Sequence, residues 1–253
     1  MFCIKNVRMH VGNPLLSIRR CVSLAMINVL CCDSSVVLCG TRDQYFLLGK
    51  ELMENMNLHL FGLLNASSGL SGWPLYLAIA AAEYLIYAVP VGLVVGWLWG
   101  SSRSRSRILA ATLVGLLALG VNQLIQLAWF HPRPFMMHVG YTYLVHAPDS
   151  SFPSDHVTLL WAIGLVFITC PYTRLSGAVV LLFAMLAAWA RVYLGVHFPL
   201  DMAGAILVAT LSVVATRSLQ WLPDRYLLPP LERLCRATFA RAITHRWIHD
   251  RTR

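Results

Sequence analysis

An all-α, polytopic membrane helix bundle is the fold class that this 253-residue chain predicts, and three observations carry it. Apolar residues make up 58% of the chain and charged residues only 12%, well below the roughly one quarter expected of a soluble domain. Apolar runs of about 17–25 residues, the length a helix needs to cross a bilayer, recur along the sequence. The basic residues, which leave a net charge of +9, gather in short tracts between those runs and in the C-terminal tail.

Taken in order, the runs predict five spans, at Leu75–Trp99, Ile108–Phe130, Val157–Cys170, Leu175–Arg191 and Pro199–Thr216. Asn57–Asn65 is apolar but too short to cross, so it is expected to lie at the interface or to form a tilted sixth span. Residues 1–52 hold five of the seven cysteines (Cys3, Cys21, Cys31, Cys32 and Cys39) and have neither a clean h-region nor a cleavage site. They are not read as a signal peptide. The texture changes at Met53, so residues 1–52 are expected to be an extension from a misplaced start codon, or disordered. No C-x-x-C pair exists, which argues against a zinc site or a disulfide framework.

Orientation follows from Arg103, Arg105 and Arg107, from Arg174, and from the basic tail beginning at Arg217. The positive-inside rule makes these regions cytoplasmic, which puts the loop His131–Phe152 and the turn Val192–Phe198 on the outward side. Leu231–Ile248 mixes apolar residues with Arg at helical spacing, as an amphipathic surface helix does. Nucleic acid is not expected as a partner, because no soluble basic domain remains once the spans are removed. Anionic lipid headgroups or substrates fit the charge better.

Three polar clusters interrupt the apolar pattern: His131-Pro132-Arg133-Pro134, then Ser151-Phe152-Pro153-Ser154-Asp155-His156, then Arg191 through Asp201. Each sits at the end of a span, and charge alone places all three on the outward side. Arg133 and Arg191 offer planar forks of donors that match phosphate oxygens and stay charged at any working pH. Ser154 opens a helix whose free N–H groups and dipole suit an anion, and it is placed to cap that helix. His197 and Asp201 are spaced so that a carboxylate can return to the imidazole, fix its tautomer and leave the other nitrogen free to attack. His156, from a different helix, is then available as the acid.

Arg133-Pro134, Pro153-Ser154-x-His156 and Arg191-x5-His197-x3-Asp201 resemble, in order, the three signature blocks of the type 2 phosphatidic acid phosphatase superfamily. The run Arg191–Asp201 and the block Ser151–His156 are most similar to the BcrC-type undecaprenyl-diphosphate phosphatases linked to bacitracin resistance. The resemblance covers about Met53 to Arg217. It implies a membrane phosphatase domain over 53–217 with a basic cytoplasmic tail over 218–253. It also implies a polyprenyl diphosphate substrate, a phosphohistidine at His197, and no metal or other cofactor. The enzyme would sit in the bacterial inner membrane with its site facing the periplasm, returning the lipid carrier of peptidoglycan synthesis to use.

Two residues depart from the superfamily pattern. Gln126 stands where a Lys is usual, so it can hydrogen-bond a phosphate but not neutralise it. Asp155 stands where Gly is usual, and a carboxylate beside a phosphate is unfavourable unless it turns away or pairs. Glu83, deep in the first span, needs a partner, and Arg133 or Arg191 are within its reach. His131, His138 and His146 are expected to be solvated loop histidines. Other lipid phosphates (phosphatidate, phosphatidylglycerophosphate, a lipid A phosphate) remain alternative substrates, and a permease component is the rival from another class.

Overall fold

The computed structural model describes residues 28–32, 35–39 and 42–239, with side chains from residue 47 onward. Most of the expected N-terminal extension, and the tail beyond residue 239, lie outside the described residues. The chain divides into two units, residues 1–56 and 57–253. In the first, strands β1 (Asn28–Cys32) and β2 (Ser35–Cys39) pair as an antiparallel hairpin. Helix α1 (Arg42–Leu64) begins in this unit and ends in the second.

The second unit is all helical among the described residues. Helix α2 runs Trp73–Trp99, α3 Ser102–Ala128, α4 Asp155–Ile168, α5 Arg174–Tyr193 and α6 Pro199–Thr216. Two short helices follow, α7 (Trp221–Tyr226) and α8 (Leu228–Thr238). Four of the five expected spans, α2, α3, α5 and α6, are long and apolar enough to cross a membrane. The third, expected at Val157–Cys170, forms at the same length two residues earlier and is too short to join them. At 14 residues, α4 rises only about 21 Å, less than the roughly 30 Å hydrocarbon core. The reason is its position: α4 packs against α3, α5 and α6, burying Val157, Leu160, Ile163 and Val166. A helix lined by other helices need not match the bilayer.

The segment Asn57–Asn65 closes α1, a helix of 23 residues whose Lys50, Glu51 and Glu54 make it too charged for an apolar span. Its last turns dock by specific contacts. Phe61 is fully buried and meets Phe198 edge to face at 5.2 Å, a pairing worth about 0.5–1.5 kcal/mol beyond area burial. Asn57 Oδ1 accepts from the Leu200 amide at 3.1 Å, and the Asn65 side chain bonds both the amide and the carbonyl of Tyr141.

The two ends of the bundle differ chemically. At one end the arginines that open α3 meet the C-terminal helices: Arg107 donates to Gln220, Ser106 to Asp224 and Ser102 to Glu232, while Arg105 lies 3.8 Å from Glu232. The described part of the expected amphipathic tail is α8. A groove of about 380 Å³, lined by Leu113, Leu117, Leu219 and Leu227, lies beside these helices and holds none of the motif residues. Those residues gather at the opposite ends of α3, α4, α5 and α6.

Candidate active site

Each part of the site is delivered by the end of a helix. Helix α3 stops at Ala128, and the chain turns through a short 3-10 segment, Pro134–Met137, that leaves Arg133 just before it. Helix α5 carries Arg191 in its last turn, and the turn to α6 passes through Gly195, whose φ is +77°. Pro199 then opens α6, with Asp201 in its first turn. A carboxylate there sits where free helix N–H groups favour it, and Asp201 Oδ2 accepts from the Phe198 amide at 2.8 Å.

His197 is buried between three groups. Its Nδ1 lies 3.3 Å from Asp201 Oδ2 and 3.2 Å from Ser151 Oγ, and Ser151 Oγ donates to the same Asp201 oxygen. Its Nε2 lies 2.9 Å from Arg133 Nη1. A guanidinium has only donors, so Nε2 must accept and the proton resides on Nδ1. The carboxylate thus fixes the tautomer that leaves Nε2 nucleophilic. Burial first, and then the positive charges of Arg191 and Arg133, hold His197 well below the ordinary imidazole value of 6.5. The ring is therefore neutral at neutral pH.

Both arginines are buried. Arg133 Nε donates to Asp149 at 2.8 Å, Nη1 to the Val196 carbonyl at 3.0 Å and Nη2 to the Ser150 carbonyl at 3.3 Å. Arg191 Nη1 donates to the Ala82 carbonyl at 3.0 Å, and its Nη2 contacts His146 Nε2 at 3.2 Å. Ala82 belongs to a π-helical turn of α2, Ala80–Tyr84, the kind of local unwinding often found at functional sites. Glu83, in the same turn, is half-buried and acts on Arg191 through its charge.

Among the described residues, Ser154 Oγ, Arg191 Nε and Asp201 Oδ1 are buried here with no protein partner, as is Asn122 Oδ1. Buried polar groups are rarely left unmatched, and an oxyanion would satisfy the two that can donate. Ser154 precedes α4 but its side chain does not cap the helix, so the expected capping contact is absent and its hydroxyl remains available. The first bond inside α4 is Thr158 N–H to Ser154 O, which leaves the preceding amides at a helix N-terminus. His156, in that first turn, is half-buried and close enough to Arg191 and Arg133 to feel their charge.

Gln126 and Asp155 lie together. Gln126 Nε2 donates to Asp155 Oδ1 and to the Pro153 carbonyl, both at 3.2 Å. Asp155 also accepts from Asn122 at 2.9 Å and Gln123 at 3.1 Å. The carboxylate that would repel phosphate is thus turned toward three amides of α3. Gln126 is engaged in clamping α3 to the start of α4.

Sequence reading missed Ser151, Asp149 and His146. Ser151 was inside a motif block but two residues ahead of its paired positions. The other two come from a loop that looks solvated until folded. His146 is half-buried rather than solvated, and burial together with Arg133 lowers its pKa.

Residues 107–225 match the PAP2 superfamily. The chain is 37% identical over 199 residues to the putative undecaprenyl-diphosphatase YbjG of Escherichia coli (strain K12), covering 79% of this chain and 100% of that protein. It is 34% identical over 154 residues to the undecaprenyl-diphosphatase BcrC of Bacillus subtilis (strain 168), covering 61% and 79%. Its fold is similar to the crystal structure of Aquifex aeolicus LpxE, with a TM-score of 0.50 and 24% identity over 64% of this chain and 95% of that one. With its motif residues gathered at one end of an apolar bundle and a full-length relative at this identity, the chain belongs to the PAP2 superfamily.

Proposed function

We propose that this multi-pass membrane protein is a lipid-diphosphate phosphatase that converts undecaprenyl diphosphate to undecaprenyl phosphate and inorganic phosphate. The observation that carries the reading is the buried His197, with Nδ1 on Asp201 and Nε2 beside the Arg133 guanidinium. The names of the YbjG and BcrC relatives support the choice of lipid.

In this reading a terminal phosphate enters between Arg133 and Arg191 and takes up the unmatched Ser154 hydroxyl and Arg191 Nε. Arg133 Nη1 turns from His197 Nε2 to a phosphate oxygen, freeing the nitrogen. Nε2 attacks phosphorus, a P–N bond forms, and the bond to the bridging oxygen breaks. His156 gives its proton to the departing lipid phosphate. It then takes a proton from water, which attacks the phosphohistidine, breaks the P–N bond and releases phosphate. No step calls on a metal. The enzyme would act in the inner membrane with its site toward the periplasm, recycle the lipid carrier of cell-wall synthesis, and lower sensitivity to bacitracin by removing the diphosphate.

Phosphate release by purified protein from undecaprenyl diphosphate, phosphatidate, phosphatidylglycerophosphate and a lipid A phosphate tests the reading. The highest kcat/KM is expected for undecaprenyl diphosphate. Preference for one of the others would keep the chemistry and replace the substrate. Release from none of them would remove the phosphatase reading in favour of a permease component.

A further inference from the structure

We propose that His146, which belongs to none of the three motif blocks, is a positioning residue for Arg191: its imidazole accepts from the guanidinium and aims it at the phosphate. The proposal rests on the reading of this site as a phosphate site.

Arg191 is a cation held almost wholly out of solvent, at 2% exposure. Among the described residues no carboxylate forms an ion pair with it, whereas Arg133 has Asp149 at 2.8 Å. Its fixed contacts are both neutral acceptors, the Ala82 carbonyl and His146 Nε2. A carboxylate on the guanidinium would cancel its charge and compete with the ligand. Neutral acceptors fix its direction and leave the charge for a phosphate.

His146 is built for this duty. Its Nδ1 lies 3.2 Å from the Ala147 carbonyl and 3.7 Å from Asp149 Oδ1, both acceptors, so the proton belongs on Nδ1 and Nε2 is free to accept. The neutral form that this requires is the one favoured by its burial and by Arg133. The same Asp149 oxygen receives the bond from Arg133 Nε. One stretch of loop, His146 to Asp149, therefore holds both arginines, and the His146 ring stands 6.3 Å from that of His197.

The test uses the purified full chain with two readouts, hydrolysis of undecaprenyl diphosphate and protection by inorganic phosphate against thermal unfolding. His146→Ala should raise KM, and weaken phosphate protection, by roughly tenfold to a hundredfold, the range for losing one hydrogen bond to a charged group, with kcat changed less. His146→Gln, whose Oε1 can accept from Arg191, should stay within about threefold of wild type on this accounting. In an Arg191→Ala background the His146→Ala change should add little to the loss of phosphate protection, since coupled residues are not additive. Should His146→Ala fail to fold, His146→Phe fills the space without an acceptor and makes the same comparison. Fully additive losses would overturn the proposal, as would a folded His146→Gln as impaired as His146→Ala. If wild-type protein released no phosphate from the lipid, the functional reading would fall. The phosphate-protection arm would still judge His146.

Discussion

A single imidazole edge decides what the proposed site can do. His197 Nε2 is available only because Nδ1 is committed to Asp201 and Ser151, so the three residues should fail in a graded order. His197→Ala is expected to form no acid-labile phosphoenzyme and to show no turnover. Asp201→Asn should fall between that and wild type, because the ring remains but its tautomer is no longer fixed. Ser151→Ala should lower kcat by about tenfold to a hundredfold, as expected when a buried acceptor loses its donor. His156→Ala should keep a residual rate, about 10²–10⁴-fold down, that improves with a better leaving group. Phosphoenzyme forming normally in His197→Ala and absent only in His156→Ala would reverse the two roles. Charge state gives a further outcome. Burial and the two arginines favour the neutral ring and lower its pKa, so His197 becomes protonated, and inactive, only at pH well under 6.5. The acid limb of kcat/KM attributable to this residue should therefore lie below that value. A limb centred near 6.5 would mean that the nucleophile is an ordinary solvated histidine.

At the scale of elements, the turn between α5 and α6 sets the register of His197, the proposed nucleophile. Gly195 takes a φ of +77°, and a Cβ added there would stand 2.2 Å from the Tyr141 carbonyl oxygen. Gly195→Ala is thus opposed by conformation and by a backbone neighbour that cannot rotate away. Strained backbone of this kind costs about 1–3 kcal/mol, and the shift falls two residues before His197. A clear drop in thermal stability together with loss of phosphoenzyme is expected, while Gly120→Ala, on an open face of α3, should fold normally. Equal stability of the two variants would show that this turn is not the constraint described. Helix α4 carries the other lesson at this scale. Its N-terminus, with Ser154 and His156, sits among the ends of longer neighbours, where Asp155 meets Asn122 and Gln126 and the Ser154 amide donates to the Asp201 carbonyl.

Across the whole bundle, the arginine-bearing helix starts and the three motif blocks occupy opposite ends, which is the arrangement the positive-inside rule requires if the chemistry faces outward. With native cysteines removed, Tyr141→Cys should be labelled by an impermeant thiol reagent in intact cells and Ser102→Cys should be protected. Labelling of the second but not the first would turn the protein over and move its substrate to the cytoplasmic leaflet. Chelators should leave hydrolysis unchanged, since every proposed charge on the reacting phosphate is met by Arg133, Arg191 and Ser154. Abolition of activity by EDTA would refute the metal-free scheme.

Composition and span length were enough to determine an apolar helical bundle, because hydrophobicity sufficient for a bilayer is a local property readable residue by residue. The pairing of His197 with Asp201 was also legible, since four residues of spacing at a helix start bring the two groups together whatever else the chain does. The motif arginines were recognisable for the same reason of residue type and place. Other features depended on contacts between segments far apart in sequence. Asp155 turned toward Asn122, Gln123 and Gln126 only once α3 lay beside α4. Likewise, the short run Val157–Cys170 was visible in the sequence, but only the packed neighbours show how so short a helix is enclosed. Ser151 entered the His197–Asp201 pair through a fold that brings residues 50 positions apart within bonding distance. His146 resembled a solvated loop residue until the tertiary structure laid its ring on Arg191, because burial belongs to the assembled chain and to no residue alone.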